Sequence, residues 1–361
     1  MNKKHFTKSV VIGRFQPMHN GHLSMIKHAL SISHQVNIVI GSSWCYPNID
    51  NPFTLAQRID MIKSAIWHNI PEFKFARDAD VAKRIKFSGV RDYRYNDERW
   101  KLEVRQSIDE TDDDSVVMVG FDKDKDSYWL HEFGWKFEAV PPVMGRDEKP
   151  LSATNIRYDF LSGAKLDQYG EDLPSGVFSW LQYYKHVDQV NGYKRLQSEY
   201  ALWQNELAKF ESYPYKDALN CCTADTVVVC NNHLLVIERK FAPGMGAYAL
   251  PGGHKESSET FKECAIRELR EEVKLKVPER VILGSIKESK LFDHPKRSCV
   301  FSKPTVAQYI VLQPNPDGSL PRVMAASDAK RAFWMPMHQV VSNADKFFDD
   351  HYEIVINFLG L

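Results

Sequence analysis

Two groups of side chains have the residue types and spacing to handle phosphate. In the first, Gly13-Arg14-Phe15-Gln16-Pro17-Met18-His19-Asn20-Gly21-His22 ends a short Val/Ile run and leads into the helix-like GHLSMIKHAL. A strand-to-helix turn with glycines lets backbone N–H groups approach phosphate oxygens, and the helix N-terminus adds partial positive charge. His19 and His22 stand three residues apart, so both imidazoles can share the first turn and donate to a triphosphate. Much later, Leu151-Ser152-Ala153-Thr154-Asn155-Ile156-Arg157 repeats the theme. Ser152 and Thr154 suit a helix start, and Arg157 follows as a rigid fork for bidentate phosphate contact.

The second group is Gly253-x5-Glu259-x7-Arg267-Glu268-Leu269-Arg270-Glu271-Glu272. At about 100° per residue, Glu268, Glu271 and Glu272 fall within roughly a 100° arc of one helix. Their repulsion disfavours the helix by a few tenths of a kcal/mol per pair, and a bound divalent cation reverses that cost. An all-oxygen set fits Mg2+ or Mn2+ rather than zinc. Phe261, Ala265, Leu269 and Val273 form the apolar stripe of the same helix. By itself, E-x-x-E-E reads as a solvated acidic face paired with Arg267 and Arg270.

These residues need a scaffold, and 361 residues are too many for one ordinary core, so two domains are expected. In the first half, apolar runs at 10–13, 36–41 and 115–120 read as buried parallel strands. Between them, Leu55, Ile59, Ile62 and Ile66 recur at helical spacing behind a Thr54/Gln57 capping box. Strands alternating with helices imply a doubly wound α/β domain, assigned to residues 1–184. An aromatic, charged stretch gives a connector at 185–204. An α+β domain follows at 205–361, with a hairpin across Asn231-Asn232, strands at 281–286 and 305–312, and a closing helix from about 343.

Composition narrows the class. The chain is 43% hydrophobic and 26% charged, as in globular proteins, with 47 basic and 47 acidic residues, so no net field draws it to nucleic acid or acidic lipid. The opening apolar run is shorter than the roughly 7 residues of a secretory segment, and none approaches the ~18 of a membrane helix. None of the six cysteines forms a C-x-x-C pair. The expectation is a cytoplasmic protein without nucleic-acid or membrane partners, and homo-oligomerisation stays open.

The first string resembles the GxFxPxHxGH motif of the nucleotidyltransferase superfamily that contains the nicotinamide mononucleotide adenylyltransferases, in its archaeal-type GRFQPxHxGH spelling. The second is similar to that superfamily's (I/L)S-x-T-x-(I/V)-R signature. The acidic string matches the Nudix box GX5EX7REUXEEXGU. Together they resemble bacterial fusions of a nicotinamide mononucleotide adenylyltransferase with an ADP-ribose pyrophosphatase-like Nudix domain. The resemblance implies ATP, nicotinamide mononucleotide and ADP-ribose or a similar nucleotide as substrates, with Mg2+ as cofactor. Adenylyl transfer needs no covalent nucleophile, because the 5′-phosphate of a mononucleotide attacks the α-phosphate of ATP directly. His19, His22 and Arg157 are assigned to the triphosphate and leaving group, with Gly13, Arg14, Phe15, Ser152 and Thr154 in support. Gly120, Asp122 and Lys123 are implied to lie near ATP. Trp100 is placed to stack on the pyridine ring, with Asp92 or Asn96 meeting its carboxamide. In the Nudix part, Glu268, Glu271, Glu272 and Gly253 are the expected metal ligands and the three glutamates the catalytic set.

Two departures stand out. Lys274 occupies the last glycine of the box, where a left-handed turn strains a side chain by roughly 1 kcal/mol. The Arg-Gly-Arg-Thr type run of ADP-ribose pyrophosphatases is replaced by Val300-Phe301-Ser302-Lys303-Pro304-Thr305. Two other readings remain open: a Nudix domain acting as a non-hydrolytic ligand sensor, and a transferase acting on another phosphate acceptor.

Overall fold

The computed structural model describes residues 5–74, 78–122, 129–187, 192–214, 220–299 and 302–361. The chain divides into two compact units, residues 1–201 and 202–361. Among the described residues, no helix is long and apolar enough to cross a membrane.

The first unit runs β1 (Phe6–Gly13), α1 (Asn20–Ile32), β2 (Ser33–Ile40), α2 (Leu55–Asn69), α3 (Asp78–Arg84), β3 (Ile85–Gly89), α4 (Asp97–Ser107), β4 (Val116–Gly120), β5 (Lys136–Ala139), α5 (Ala153–Ser162), α6 (Ser175–Val187) and α7 (Lys194–Lys209), the last crossing the boundary between the units. Its five strands pair in parallel in the order β3-β2-β1-β4-β5. The order reverses direction at β1, so the carboxyl ends of β1 and β4 flank a topological switch point, where open α/β sheets bind ligands. Val10, Val39 and Met118 from three neighbouring strands pack with Val104 and Ile108 near α4 and with Leu130 and Phe133. Helix α2 begins as its sequence dictates: the Thr54 hydroxyl accepts from Gln57 N–H and the Gln57 side chain accepts from Thr54 N–H.

The second unit contains β6 (Thr223–Cys230), β7 (His233–Arg239), β8 (Tyr248–Ala249), β9 (Gly252–His254), α8 (Phe261–Val273), α9 (Glu279–Gly284), β10 (Ile286–Phe292), β11 (Thr305–Leu312), β12 (Ala329–Pro336), α10 (Met337–Ser342) and α11 (His351–Leu359). The mixed sheet has the order β10-β11-β6-β7-β12, with β8 on β7 and β9 on β6. Only β11–β6 is parallel among these pairs. Asn231 and Asn232 both take positive φ, 43° and 60°, as a two-residue hairpin of this hand requires. Helix α8 lays Ile266, Leu269 and Val273 on Val228, Leu235, Ile237 and Ile310 of the sheet.

Two expectations are corrected. Residues 281–286 are not one strand. Pro278 starts the short helix α9, which buries Ile282 and leaves Val281 and Leu283 exposed, and β10 begins only at Ile286. A short apolar run carries too few periods to separate helix from strand. The closing helix starts at His351 rather than near 343, after a single 3-10 turn at Ala344–Lys346.

Helix α8 ends as its departure from the box demands, with Lys274 left-handed at φ 44°, ψ 43°. Replacing Lys274 with glycine removes the Cβ clash of that conformation. Lys274→Gly is therefore expected to stabilise the second unit by about 0.5–1 kcal/mol. Urea or thermal unfolding reads the change, and an unchanged or lowered midpoint contradicts the strain.

Candidate functional sites

The turn after β1 sits at the switch point. Gly41 N–H donates to Gly13 O at 3.0 Å, tying the ends of β1 and β2 together. Phe15 is left-handed at φ 53°, and its ring lies where a Cβ on Gly13 would stand 3.2 Å away. The buried Gln16 side chain pairs with the Phe53 backbone in both directions, each bond 3.0 Å. The turn is thereby stitched to the residues that start α2.

His19 and His22 form the cap of α1. His19 Nδ1 accepts from Gly21 N–H at 3.1 Å, and His22 Nδ1 accepts from His19 N–H at 3.2 Å. This is a capping box built from imidazoles, satisfying two donors the helix start would otherwise leave orphaned. The rings lie 3.9 Å apart between centroids. A Cβ on Gly21 would stand 2.9 Å from His19 Cε1, so the glycine between the histidines makes room for the first ring. Burial pushes His19 down to about 4, and burial followed by the neighbouring His19 holds His22 well below the ordinary imidazole range. A neutral ring whose Nδ1 accepts carries its proton on Nε2. At neutral pH both histidines therefore present Nε2–H donors rather than charges.

The cations around this turn divide into one exposed and two buried. Arg14 is exposed. Arg157, only 2% exposed, makes four hydrogen bonds to protein: to Ile49 O (3.0 Å), Gln16 O (2.8 Å), Asp50 Oδ1 (3.2 Å) and Thr154 Oγ1 (3.4 Å). In this state its guanidinium braces the turn with four of its five N–H donors. Arg58, which sequence reasoning missed, is also buried. It donates to Arg14 O (2.9 Å), Gly41 O (2.6 Å), Ser42 O (3.2 Å), Ser43 Oγ (3.4 Å) and Thr54 O (3.4 Å). Burial pushes it down to about 10, so it stays charged at neutral pH. Only its place in α2, beneath both turns, distinguishes it from the surface arginine its spacing suggests. Ser152 holds the N-cap position of α5 without capping through its hydroxyl. Gly120 closes β4, and Asp122 is half exposed with His131 Nε2 at 3.4 Å. Lys123 lies outside the described residues.

Each of the three residues set against the pyridine ring also has protein contacts. Asp92 Oδ1 accepts from Ser42 N–H and Ser42 Oγ, both at 2.9 Å. Asn96 caps α4, its Oδ1 accepting from Arg99 N–H at 3.0 Å. Trp100 packs against the sheet's apolar cluster, edge-on to Trp129 and Phe133.

In the second unit, α8 and β9 bring the acidic residues together around Arg267. The Arg267 guanidinium reaches Glu259 (2.7 and 3.0 Å), Glu268 (2.8 Å), Glu271 (3.2 Å) and His254 O (3.1 Å). The three glutamates of the expected arc differ in exposure. Glu271 is 55% exposed, Glu268 is 15%, and Glu272 is buried with Oε2 accepting from Gly252 N–H at 3.0 Å. Burial pushes Glu272 up to about 8 against that hydrogen bond, and burial raises Glu268 against Arg267. A hydrogen bond from Arg267 draws Glu259 down to about 2. A Cβ on Gly253 would stand 2.5 Å from Glu268 Oε1, so the glycine leaves room where that carboxylate meets β9. Beside Glu272 and Gly253 opens a pocket of about 230 Å³ lined by Asp225, Arg239, Phe241, Arg297, Phe348 and His351 among others. Arg297 grips buried Asp350 with two 2.9 Å bonds. Val300 and Phe301 lie outside the described residues.

Comparison with known proteins covers both units. Residues 10–158 match the Cytidylyltransferase-like family, and residues 222–358 match the NUDIX domain. Over 198 residues the chain is 31% identical to the nicotinamide/nicotinic acid mononucleotide adenylyltransferase of Acinetobacter baylyi, covering 54% of this chain and 94% of that protein. The crystal structure of a bifunctional NMN adenylyltransferase/ADP ribose pyrophosphatase from Francisella tularensis superposes with a TM-score of 0.86 at 31% identity, covering 98% of this chain and 99% of that one. The chain belongs to this bifunctional family.

A second Francisella structure, similar with a TM-score of 0.85 at 30% identity, is complexed with AMP and a manganese ion. Nudix hydrolases and NMN adenylyltransferases typically use divalent metals. In this member of the family, among the described residues, no three His, Cys, Asp or Glu side chains converge as a ready-made metal site. The donor set nonetheless fits a hard cation: Glu268 and Glu272 are both raised by burial, a cost that a nearby positive charge offsets. Arg267 supplies that charge to Glu268 here.

The neutral histidines carry a stability signature. The folded-state value of His19, about 4, lies below the unfolded value, so between about pH 7 and pH 5 the unfolded chain binds a proton that the folded unit refuses. Stability of the first unit is expected to fall with pH across that window, by about 2 kcal/mol from His19 alone. Urea midpoints at the two pH values, compared with His19→Gln, measure it. An equal pH dependence in wild type and variant contradicts the assignment.

Proposed function

We propose that the first unit transfers AMP from ATP to nicotinamide mononucleotide, giving NAD and pyrophosphate, and that the second hydrolyses ADP-ribose to AMP and ribose 5-phosphate. The observation that carries this reading is one chain holding both a paired-histidine helix start at a sheet switch point and a full Nudix set of carboxylates. The Francisella protein named for both activities matches it end to end. The working domains are taken as residues 1–184 and 205–361, joined by 185–204.

In the transfer, the mononucleotide 5′-phosphate attacks the α-phosphate of ATP in line, and pyrophosphate leaves. His19 and His22 donate from Nε2 to the triphosphate beside the α1 N-terminus. Arg14 supplies an exposed cation, and Arg157 and Arg58 hold the turn and add positive potential beneath it. Ser152 and Thr154 present hydroxyls at the start of α5. Neutral donors suit this task, because they stabilise developing charge without themselves changing protonation state.

In the hydrolysis, the substrate diphosphate lies in the pocket beside Glu272, with Arg239 and Arg297 among its walls. Glu268, Glu271, Glu272 and the Gly253 carbonyl are the residues to hold Mg2+, Mn2+ serving in its place. When bound, the ion neutralises diphosphate charge and helps to activate water. Retention of all the carboxylates favours hydrolysis over a silent sensor domain.

The test is a substrate panel on purified protein with Mg2+. NAD formed from ATP and nicotinamide mononucleotide, with AMP released from ADP-ribose, supports the reading, and exclusive use of another acceptor or an inert second unit rejects the corresponding half. His22→Ala is expected to lower transfer by about 100-fold or more and spare hydrolysis. Glu271→Gln is expected to do the reverse, by a similar factor. A folded variant that silences both activities contradicts independent sites.

A further inference from the structure

Several polar side chains lining the pocket beside Glu272 are already held by protein. Arg297 grips Asp350, and Asp225 Oδ2 accepts from Thr305 Oγ1 at 2.6 Å. Arg239 donates from Nε to Pro243 O at 2.9 Å, with its guanidinium over the Phe348 ring. His351 differs from these. It lines the same pocket, is only 7% exposed and opens α11. Its Nδ1 accepts from Leu250 N–H at 2.9 Å. Among the described residues, its Nε2 has no hydrogen-bond partner.

The backbone fixes the state of this ring. A backbone N–H only donates, so Nδ1 must offer a lone pair and the ring proton sits on Nε2. Burial, opposed by Asp225 and Asp350, holds the ring below the ordinary imidazole range, in keeping with a neutral donor. A buried donor without an acceptor costs roughly 1–3 kcal/mol, a cost that an acceptor entering the pocket removes. The surroundings suit an anion: the first turn of α11 adds partial positive charge, and Arg239 and Arg297 stand in the same wall. Leu250 lies two residues before Gly252, whose N–H holds Glu272, so one short segment fixes both the imidazole and the carboxylate.

We infer that His351 Nε2–H donates to a non-bridging oxygen of the substrate diphosphate and so positions it beside Glu272. This rests on the reading of the second unit as a nucleoside diphosphate hydrolase. A hydrogen bond to a charged phosphate oxygen that is made in the bound state and lost in a variant weakens binding by about tenfold or more.

Two substitutions separate the work of the two ring nitrogens. His351→Asn keeps an acceptor near Nδ1 for Leu250 and removes the Nε2 donor, whereas His351→Gln carries an amide donor out toward Nε2 and gives up the acceptor. Calorimetric titration with methylene-bridged ADP-ribose and Mg2+, beside urea unfolding and ADP-ribose kinetics, reads both. His351→Asn is expected to weaken analogue binding and lower kcat/KM by about tenfold or more while keeping its unfolding midpoint. His351→Gln is expected to lose stability and bind the analogue more tightly than His351→Asn. Long-range 1H–15N NMR of the wild-type chain, which needs no variant to fold, should show the His351 Nε2 resonance move when the analogue binds. Wild-type affinity in folded His351→Asn, a fall in kcat alone, or an unmoved Nε2 resonance at saturation overturns the inference. A wild-type protein that neither binds the analogue nor releases AMP from ADP-ribose overturns the hydrolase reading instead.

Discussion

A polar group taken out of water must find a partner or lose its charge, and both sites of this chain are organised by that constraint. At the first, two imidazoles are buried at a helix start and become neutral. At the second, the Glu272 carboxyl is buried against β9 and holds its proton to about 8. Arg58 shows the third outcome: it keeps its charge because carbonyl oxygens from the turns after β1 and β2 surround it.

The same constraint divides each side chain's work between protein and ligand. His19 and His22 use Nδ1 to cap α1, which leaves Nε2–H as the atom for an anion. Glu272 uses one oxygen to accept from Gly252 N–H. Glycines supply the room: Gly21 for the His19 ring and Gly253 for the Glu268 carboxylate. A chemical motif here is thus a packing motif as well, with Gly21 and Gly253 each set beside a functional side chain.

Much of this was legible in the sequence where the governing partner lies within a few residues. The Thr54/Gln57 cap, the Asn231-Asn232 hairpin and the left-handed Lys274 are local events, and all three stand in the structure as read. The edge strands β3 and β5 were not visible: IKFSG and KFEA are short and carry polar residues, because an edge strand is not buried on every side. The roles of Arg58, Gln16 and Asp92 were hidden for a different reason. Thr54 aside, the partners described for their side chains lie 15 to 50 positions away, and no periodicity encodes such a contact. Trp100 has the residue type of a stacking platform, and the fold sets it partly buried against an apolar cluster.

The central claim is that His19 and His22 are neutral Nε2–H donors because their Nδ1 atoms cap α1. Long-range 1H–15N NMR of 15N-histidine-labelled protein, assigned with His19→Gln and His22→Gln, reads protonation at each ring nitrogen directly. The account predicts Nδ1 bare and Nε2 protonated in both rings from neutral pH down to about pH 5, with the Nε2 resonances moving when ATP is added. Charged rings at neutral pH, or a proton resting on Nδ1, would contradict it.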